Sequence, residues 1–156
     1  MRKLKKELKA GFSGAKKIAF VGVGSDLRGD DALGMMIAEG LKEKFKTKSS
    51  KFKVFFGGTV PENWTGQIRK FNPTHVVMID AADIGNAPGD ARIVRASEIG
   101  SVSFCTHQLP LKIMADYMVE AIGCEVIIIG VQPKNMEFGS SVSREIVKAV
   151  KTIINI

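Results

Sequence analysis

The chain has 156 residues, 45% of them hydrophobic and 25% charged, with two cysteines and a formal net charge of +7. That length suits one ordinary domain with its own core, the composition excludes a disordered chain, and two cysteines exclude a disulfide framework. The charge excludes less than it suggests: within residues 1–17, Arg2, Lys3, Lys5, Lys6, Lys9, Lys16 and Lys17 face one acid, Glu7, and the rest of the chain is nearly neutral.

The basic segment, residues 1–17, carries few large apolar groups (Leu4, Leu8, Phe12) and no interleaved aromatics. A solvated, partly helical tail is the expected reading, set against a nucleic-acid or membrane-surface arm. No apolar core of signal-peptide length follows it, and the longest apolar runs are strand-length. A soluble, intracellular, cytoplasmic protein is therefore expected, without membrane insertion or nucleic-acid partner.

From residue 18 onward, strand-like and helix-like stretches alternate. Ile18-Ala-Phe-Val-Gly-Val23 has the continuous apolar character of a strand buried on both faces. Leu33, Met36, Ile37, Leu41 and Phe45 recur at helical spacing, so a helix is expected from Asp31, capped by Asp30 or Asp31. Lys53–Phe56 reads as a second strand closed by Gly57-Gly58, and Pro61–Phe71 as a helix with proline in its first turn. Val76–Ile79 is a third buried strand running into Asp80. Ala91–Val94 reads as a short antiparallel strand, Leu109–Ile122 as a helix, Val126–Val131 as the last core strand and Ser141–Ile154 as the closing helix. The alternation predicts an α/β fold: a three-layer α/β/α sandwich around a mostly parallel sheet, in one domain spanning residues 18–156.

Ligands of open α/β sheets bind beyond the carboxyl ends of the strands. Asp31 follows the first strand, Asp80 is expected to end the third, and His107 precedes the fourth helix. Two carboxylates and one imidazole can bind a divalent ion with positions open for water or substrate, and the carboxylate pair can instead share a proton as in aspartic proteases. Taken singly, Asp31 reads as a helix cap, Asp80 as a turn residue and His107 as structural; it is their joint placement that points to hydrolysis. Cys105 is a possible fourth ligand, though a small buried hydrophobe is its simpler role. Cys124 reads as core, and His75 opens the third strand at the wrong end. Gly22-Val-Gly24 does not make a dinucleotide site, because Leu27 stands where the third glycine is required and Asp30-Asp31 would repel a pyrophosphate.

These segments resemble the hydrogenase maturation endopeptidases, most closely the branch serving hydrogenase 3 and related formate-hydrogenlyase enzymes. The resemblance is carried by Val21-Gly-Val-Gly-Ser-Asp-Leu-Arg-Gly-Asp-Asp31, Gly57-Gly-Thr-Val-Pro-Glu-Asn63, Asp80-Ala-Ala-Asp-Ile-Gly85 with Pro88-Gly89, Thr106-His-Gln-Leu-Pro-Leu111 and Gly130-Val-Gln-Pro133, in the family's order. It implies a protease that removes the C-terminal extension of a [NiFe]-hydrogenase large-subunit precursor after nickel insertion. The family's nickel-recognising residues fall on Asp31, Asp80 and His107. Nickel is then expected to arrive in the substrate, with no tightly bound metal in the free enzyme, and one site per chain is compatible with a monomer. Ser25 departs from the family's usual asparagine; both side chains form turn hydrogen bonds. Two other readings share the same three residues: a nickel-recognising module that binds the precursor without cutting it, and a metallohydrolase of small molecules.

Overall fold

The structure, a computed structural model, describes residues 1–48, 50–95, 98–99, 103–104 and 108–156, with backbone only at 103 and 108–110. Among the described residues the strands are β1 (Ile18–Val23), β2 (Phe52–Gly58), β3 (His75–Asp83), β4 (Ala91–Val94), β5 (Ser103–Phe104) and β6 (Glu125–Val131), and the α-helices are α1 (Arg2–Gly11), α2 (Leu33–Lys44), α3 (Thr65–Phe71), α4 (Gln108–Ile122) and α5 (Arg144–Ile154). The sheet order is β2-β1-β3-β6-β4. The three inner pairings are parallel, while β4 runs antiparallel to β6 and the short β5 antiparallel to the end of β3.

Side chains alternate across the sheet and feed two cores. Ala19, Val21, Val23, Val76 and Met78 join Ile68 of α3 and Leu111 and Met114 of α4 on one face. Ile18, Phe20, Val77, Ile79 and Ile129 join Leu33 and Ile37 of α2, Ile146 and Ile153 of α5, and Leu4 and Leu8 of α1 on the other. The expected three layers are all present.

The N-terminal segment differs from a solvated tail. Leu4 and Leu8, one helical turn apart, are both buried against the sheet, while Arg2, Lys3, Lys5, Lys6 and Lys9 stay exposed. Two well-placed leucines suffice to dock one face of a helix whose other face is charged.

Element boundaries moved where local turns intervene. The helix expected from Asp31 starts at Leu33, preceded by a 3-10 turn over Gly29–Ala32. Pro61–Trp64 is likewise a 3-10 turn leading into α3, and the closing helix begins at Arg144 after an extended Ser143. Asp80 lies inside β3 and not at its end: β6 pairs with β3 through Ala81, and Phe104 of β5 pairs with Ala82, which prolongs the strand.

One contact sets the depth of α2 on the sheet. A Cβ on Gly34 would stand 2.1 Å from the Val23 carbonyl oxygen and 2.5 Å from that of Ile79, both main-chain atoms of the central strands. Backbone on two sides cannot retreat, so Gly34→Ala is expected to cost about 3 kcal/mol or more, as overpacked cores do. Gly66, helical and with open space around it, is the control: Gly66→Ala is expected to be neutral or to stabilise by about 0.5–1 kcal/mol. Urea unfolding of the two variants checks both.

A cavity of about 340 Å³ opens among Phe12, Ile18, Phe20, Phe52 and Ile154. Its lining residues include no acid and no histidine. It therefore lacks the hydrolytic groups that the sequence places at the opposite ends of the strands.

Candidate active site at the carboxyl ends of β1 and β3

The close approach of α2 to β1 brings the chain back beside its own strand end. Gly24, with φ +128°, takes a backbone conformation that side-chain-bearing residues rarely adopt, and a Cβ there would lie 1.9 Å from the Asp31 carbonyl oxygen. The Ser25 amide donates to Asp31 Oδ2 at 3.0 Å, and the Ser25 hydroxyl accepts from the Leu27 amide at 3.3 Å. The serine thus closes the turn from residue i to i+2, as an asparagine does.

Asp31 is buried, and neither it nor Asp30 caps the helix through its side chain. The two neighbours have separate tasks. Asp30, fully buried, accepts hydrogen bonds from the amides of Ser143 (2.7 Å), Lys134 (2.8 Å) and Asn135 (2.9 Å) and from the Ser143 hydroxyl (3.0 Å). Burial alone would raise its pKa, but these four donors outweigh it and hold the carboxyl below its ordinary range. Asp30 thereby fastens the segment after β6 to the turn after β1.

Asp80 is also fully buried, and its Oδ1 accepts from the Ala81 amide at 2.8 Å. Strand alternation gives it the parity of Val76, Met78 and Ala82, on the face covered by α3 and α4. Its pKa is pushed up to about 8, first by burial and then by the charge of Asp31. Asp31 thus lies near enough for its charge to be felt at Asp80.

His107 and Cys105 lie outside the described residues, so the third member of the expected set carries no geometry. Among the described residues no three His, Cys, Asp or Glu side chains cluster. Cys124 is core, its thiol directed at the Met118 carbonyl at 3.4 Å. His75 sits buried at the opposite end of β3, its Nδ1 3.0 Å from the Thr74 hydroxyl and its Nε2 3.6 Å from Glu125.

Two positioning residues have roles that the sequence reading did not assign. Asp30 is one: expected as a helix cap, it fastens the segment after β6 instead. Gln132 is the other: its side-chain oxygen accepts from the amides of Ile84 (2.8 Å) and Asn86 (3.3 Å), and its carbonyl from Gly89 (2.9 Å). It holds the loop that leaves β3 beyond Asp80.

Comparison with known proteins bears on the family and the fold. Residues 35–156 match the family model described as HycI, hydrogenase maturation protease. The hydrogenase 3 maturation protease of Escherichia coli K12 is 36% identical over 132 residues, covering 84% of this chain and 82% of that protein. The crystal structure of a [NiFe] hydrogenase maturation protease, HycI, from Thermococcus kodakarensis superposes with a TM-score of 0.86 at 36% identity, covering 96% of this chain and 94% of that one. The hydrogenase maturating endopeptidase HybD of E. coli, at 23% identity and a TM-score of 0.70 over 89% of this chain and 88% of that one, shares the fold.

Proposed function

Given that the chain belongs to the hydrogenase maturation proteases, we propose that it removes the C-terminal extension of a nickel-loaded [NiFe]-hydrogenase large-subunit precursor, with Asp31, Asp80 and His107 reading the nickel. The observation that carries this reading is the pair of buried carboxyl groups, Asp31 in the turn after β1 and Asp80 in the carboxyl-terminal half of β3. Two acids buried side by side oppose each other's ionisation, an arrangement that folding alone does not favour. A divalent ion relieves the opposition by replacing the proton between them.

The nickel is part of the substrate in this scheme. It arrives bound to the precursor's cysteines, and the enzyme's acids and imidazole complete or probe its coordination. A water beside the site attacks the scissile carbonyl as a carboxylate accepts its proton, and that proton passes to the departing nitrogen as the C–N bond breaks, leaving a new carboxyl and a free amine. Gly58, with open space around it, lets the substrate chain approach closely, whereas Gly22, Gly24 and Gly57 face the protein's own backbone. The reading places the enzyme in the cytoplasm as a monomer; no helix among the described residues is long and apolar enough to cross a membrane.

The same pair also favours an aspartyl-type reading. Asp80, raised to about 8 beside the charge of Asp31, holds a proton at neutral pH as one member of a proton-sharing dyad does. The two readings separate on the nickel-free substrate.

The test is to treat the enzyme with chelator, remove the chelator, and incubate it with nickel-loaded and nickel-free precursor, reading intact mass. Loss of a C-terminal peptide from the loaded form alone is the expected result. Cleavage of both forms would favour the aspartyl-type dyad, and binding with no mass change would sink the processing role.

A further inference from the structure

Turns at the edge of a sheet are normally polar, and a single exposed leucine carries no message. Here three large apolar side chains are exposed at one end of the sheet: Leu27 (59%) after β1, Val60 (43%) after β2 and Phe138 (76%) after β6. Phe138 is the most exposed large apolar side chain among the described residues.

These turns are pinned together by backbone. The Gly139 amide donates to the Leu27 carbonyl at 2.8 Å, and the Gly24 amide to the Gly58 carbonyl at 2.9 Å. The Asp30 amide donates to the Asn135 carbonyl at 2.9 Å, and the Asp30 carboxylate holds Lys134, Asn135 and Ser143 from the other side. The same short segment, Ser25–Asp31, therefore carries Leu27, presents Asp31 and anchors the turn that bears Phe138.

We propose that Leu27, Val60 and Phe138 form an apolar rim that seats an apolar stretch of the precursor polypeptide as its chain enters the site at Asp31. This rests on the reading of the protein as a precursor protease. The occupant is a polypeptide because the rim is continuous, through one hydrogen-bonded turn, with a site whose substrate is a polypeptide. A surface fixed in advance loses little freedom on binding, so its apolar groups contribute efficiently to affinity. Exposed apolar groups clustered beside a site mark interaction surfaces more often than scattered ones do.

The rim predicts a separation of binding from chemistry. The double variant Leu27→Ser/Phe138→Ser is compared with the parent for affinity toward the large-subunit precursor, by fluorescence anisotropy, and for KM and kcat by intact mass. Val119→Ser, exposed on α4 near the end of that helix remote from Gln108, is the control, and circular dichroism checks folding of all three. Kd and KM are expected to rise about tenfold or more, as loss of buried apolar anchors does, with kcat within about twofold and the control unchanged. Unchanged Kd and KM in the double variant, or an equal loss in Val119→Ser, would overturn the rim. A parent that binds the precursor without cutting it would defeat the protease reading, yet its Kd against the variant's would still decide the rim; a parent that fails to bind would overturn both.

Discussion

Asp80→Asn is expected to make the protein more resistant to urea at pH 8 while abolishing precursor processing. The Asp80 carboxyl titrates at about 8 in the folded state, against about 3.9 in the unfolded chain. Between these values the folded state binds the proton and the unfolded state does not. Stability therefore falls as pH rises through this window, by about 1.4 kcal/mol per pH unit attributable to this one group. Asparagine keeps the shape and an oxygen for the Ala81 amide but carries no such cost, so parent and variant should converge near pH 4 and separate by several kcal/mol, in order of magnitude, at pH 8. Urea melts at pH 4, 6 and 8 read the difference directly. Parallel pH profiles for the two proteins would show that Asp80 is not held in its neutral form by the fold. The loss of processing follows from the same replacement, since an amide supplies neither a negative ligand nor a base. A site that is more stable without its acid is one where function has been retained at the expense of stability.

Asp30 should behave in the opposite way. Asp30→Ala is expected to lower stability by about 3–5 kcal/mol at neutral pH, because it strips four buried donors of a charged acceptor. Since the folded carboxyl is held below its ordinary range, its stabilising contribution is fully present above about pH 4 and fades as pH falls through the folded value. The deficit of the variant should accordingly shrink on acidification, where the advantage of Asp80→Asn over its parent vanishes for the converse reason. Thermal or urea unfolding at pH 7 and pH 3 tests the sign. A variant as stable as the parent at pH 7 would show that the segment after β6 is held by its other contacts, among them the bond from Gly139 to Leu27. Processing should fall together with stability, since the turn presenting Asp31 loses its anchor.

The contrast between these neighbouring acids shows what a single sequence reveals. Periodicity located the strands and helices because burial on two faces writes continuous apolar runs into β1, β3 and β6, and one-face burial writes helical spacing into α2. The ends were less legible. The length of β3 depends on β5, a two-residue partner too short to leave a pattern, and so Asp80 proved to lie within a strand. Leu4 and Leu8 were visible, but whether two leucines among lysines face water or a sheet depends on a surface made by residues far along the chain. The functions of Asp30 and Gln132 were hidden for the same reason: their partners lie 104 to 113 and 46 to 48 residues away, and no local rule anticipates such distances. That Asp31 and Asp80 come near each other was legible because the carboxyl-terminal halves of neighbouring parallel strands converge whatever lies between them.

The strand order has a consequence for synthesis on the ribosome. β4 is complete at Val94, but its sheet partner, β6, ends only at Val131. At translation speeds of about 5–20 residues per second, β4 waits roughly two to seven seconds for the strand it pairs with. During that interval the side of β3 that will receive β6 has no neighbour, and Asp30 is without Lys134, Asn135 and Ser143. A nascent chain halted before residue 125 therefore carries an open strand edge, with unpaired backbone N–H and C=O groups, and an Asp30 without these donors. The sheet therefore closes beside β3 only once Glu125–Val131 has been made, and Asp30 gains its donors later still.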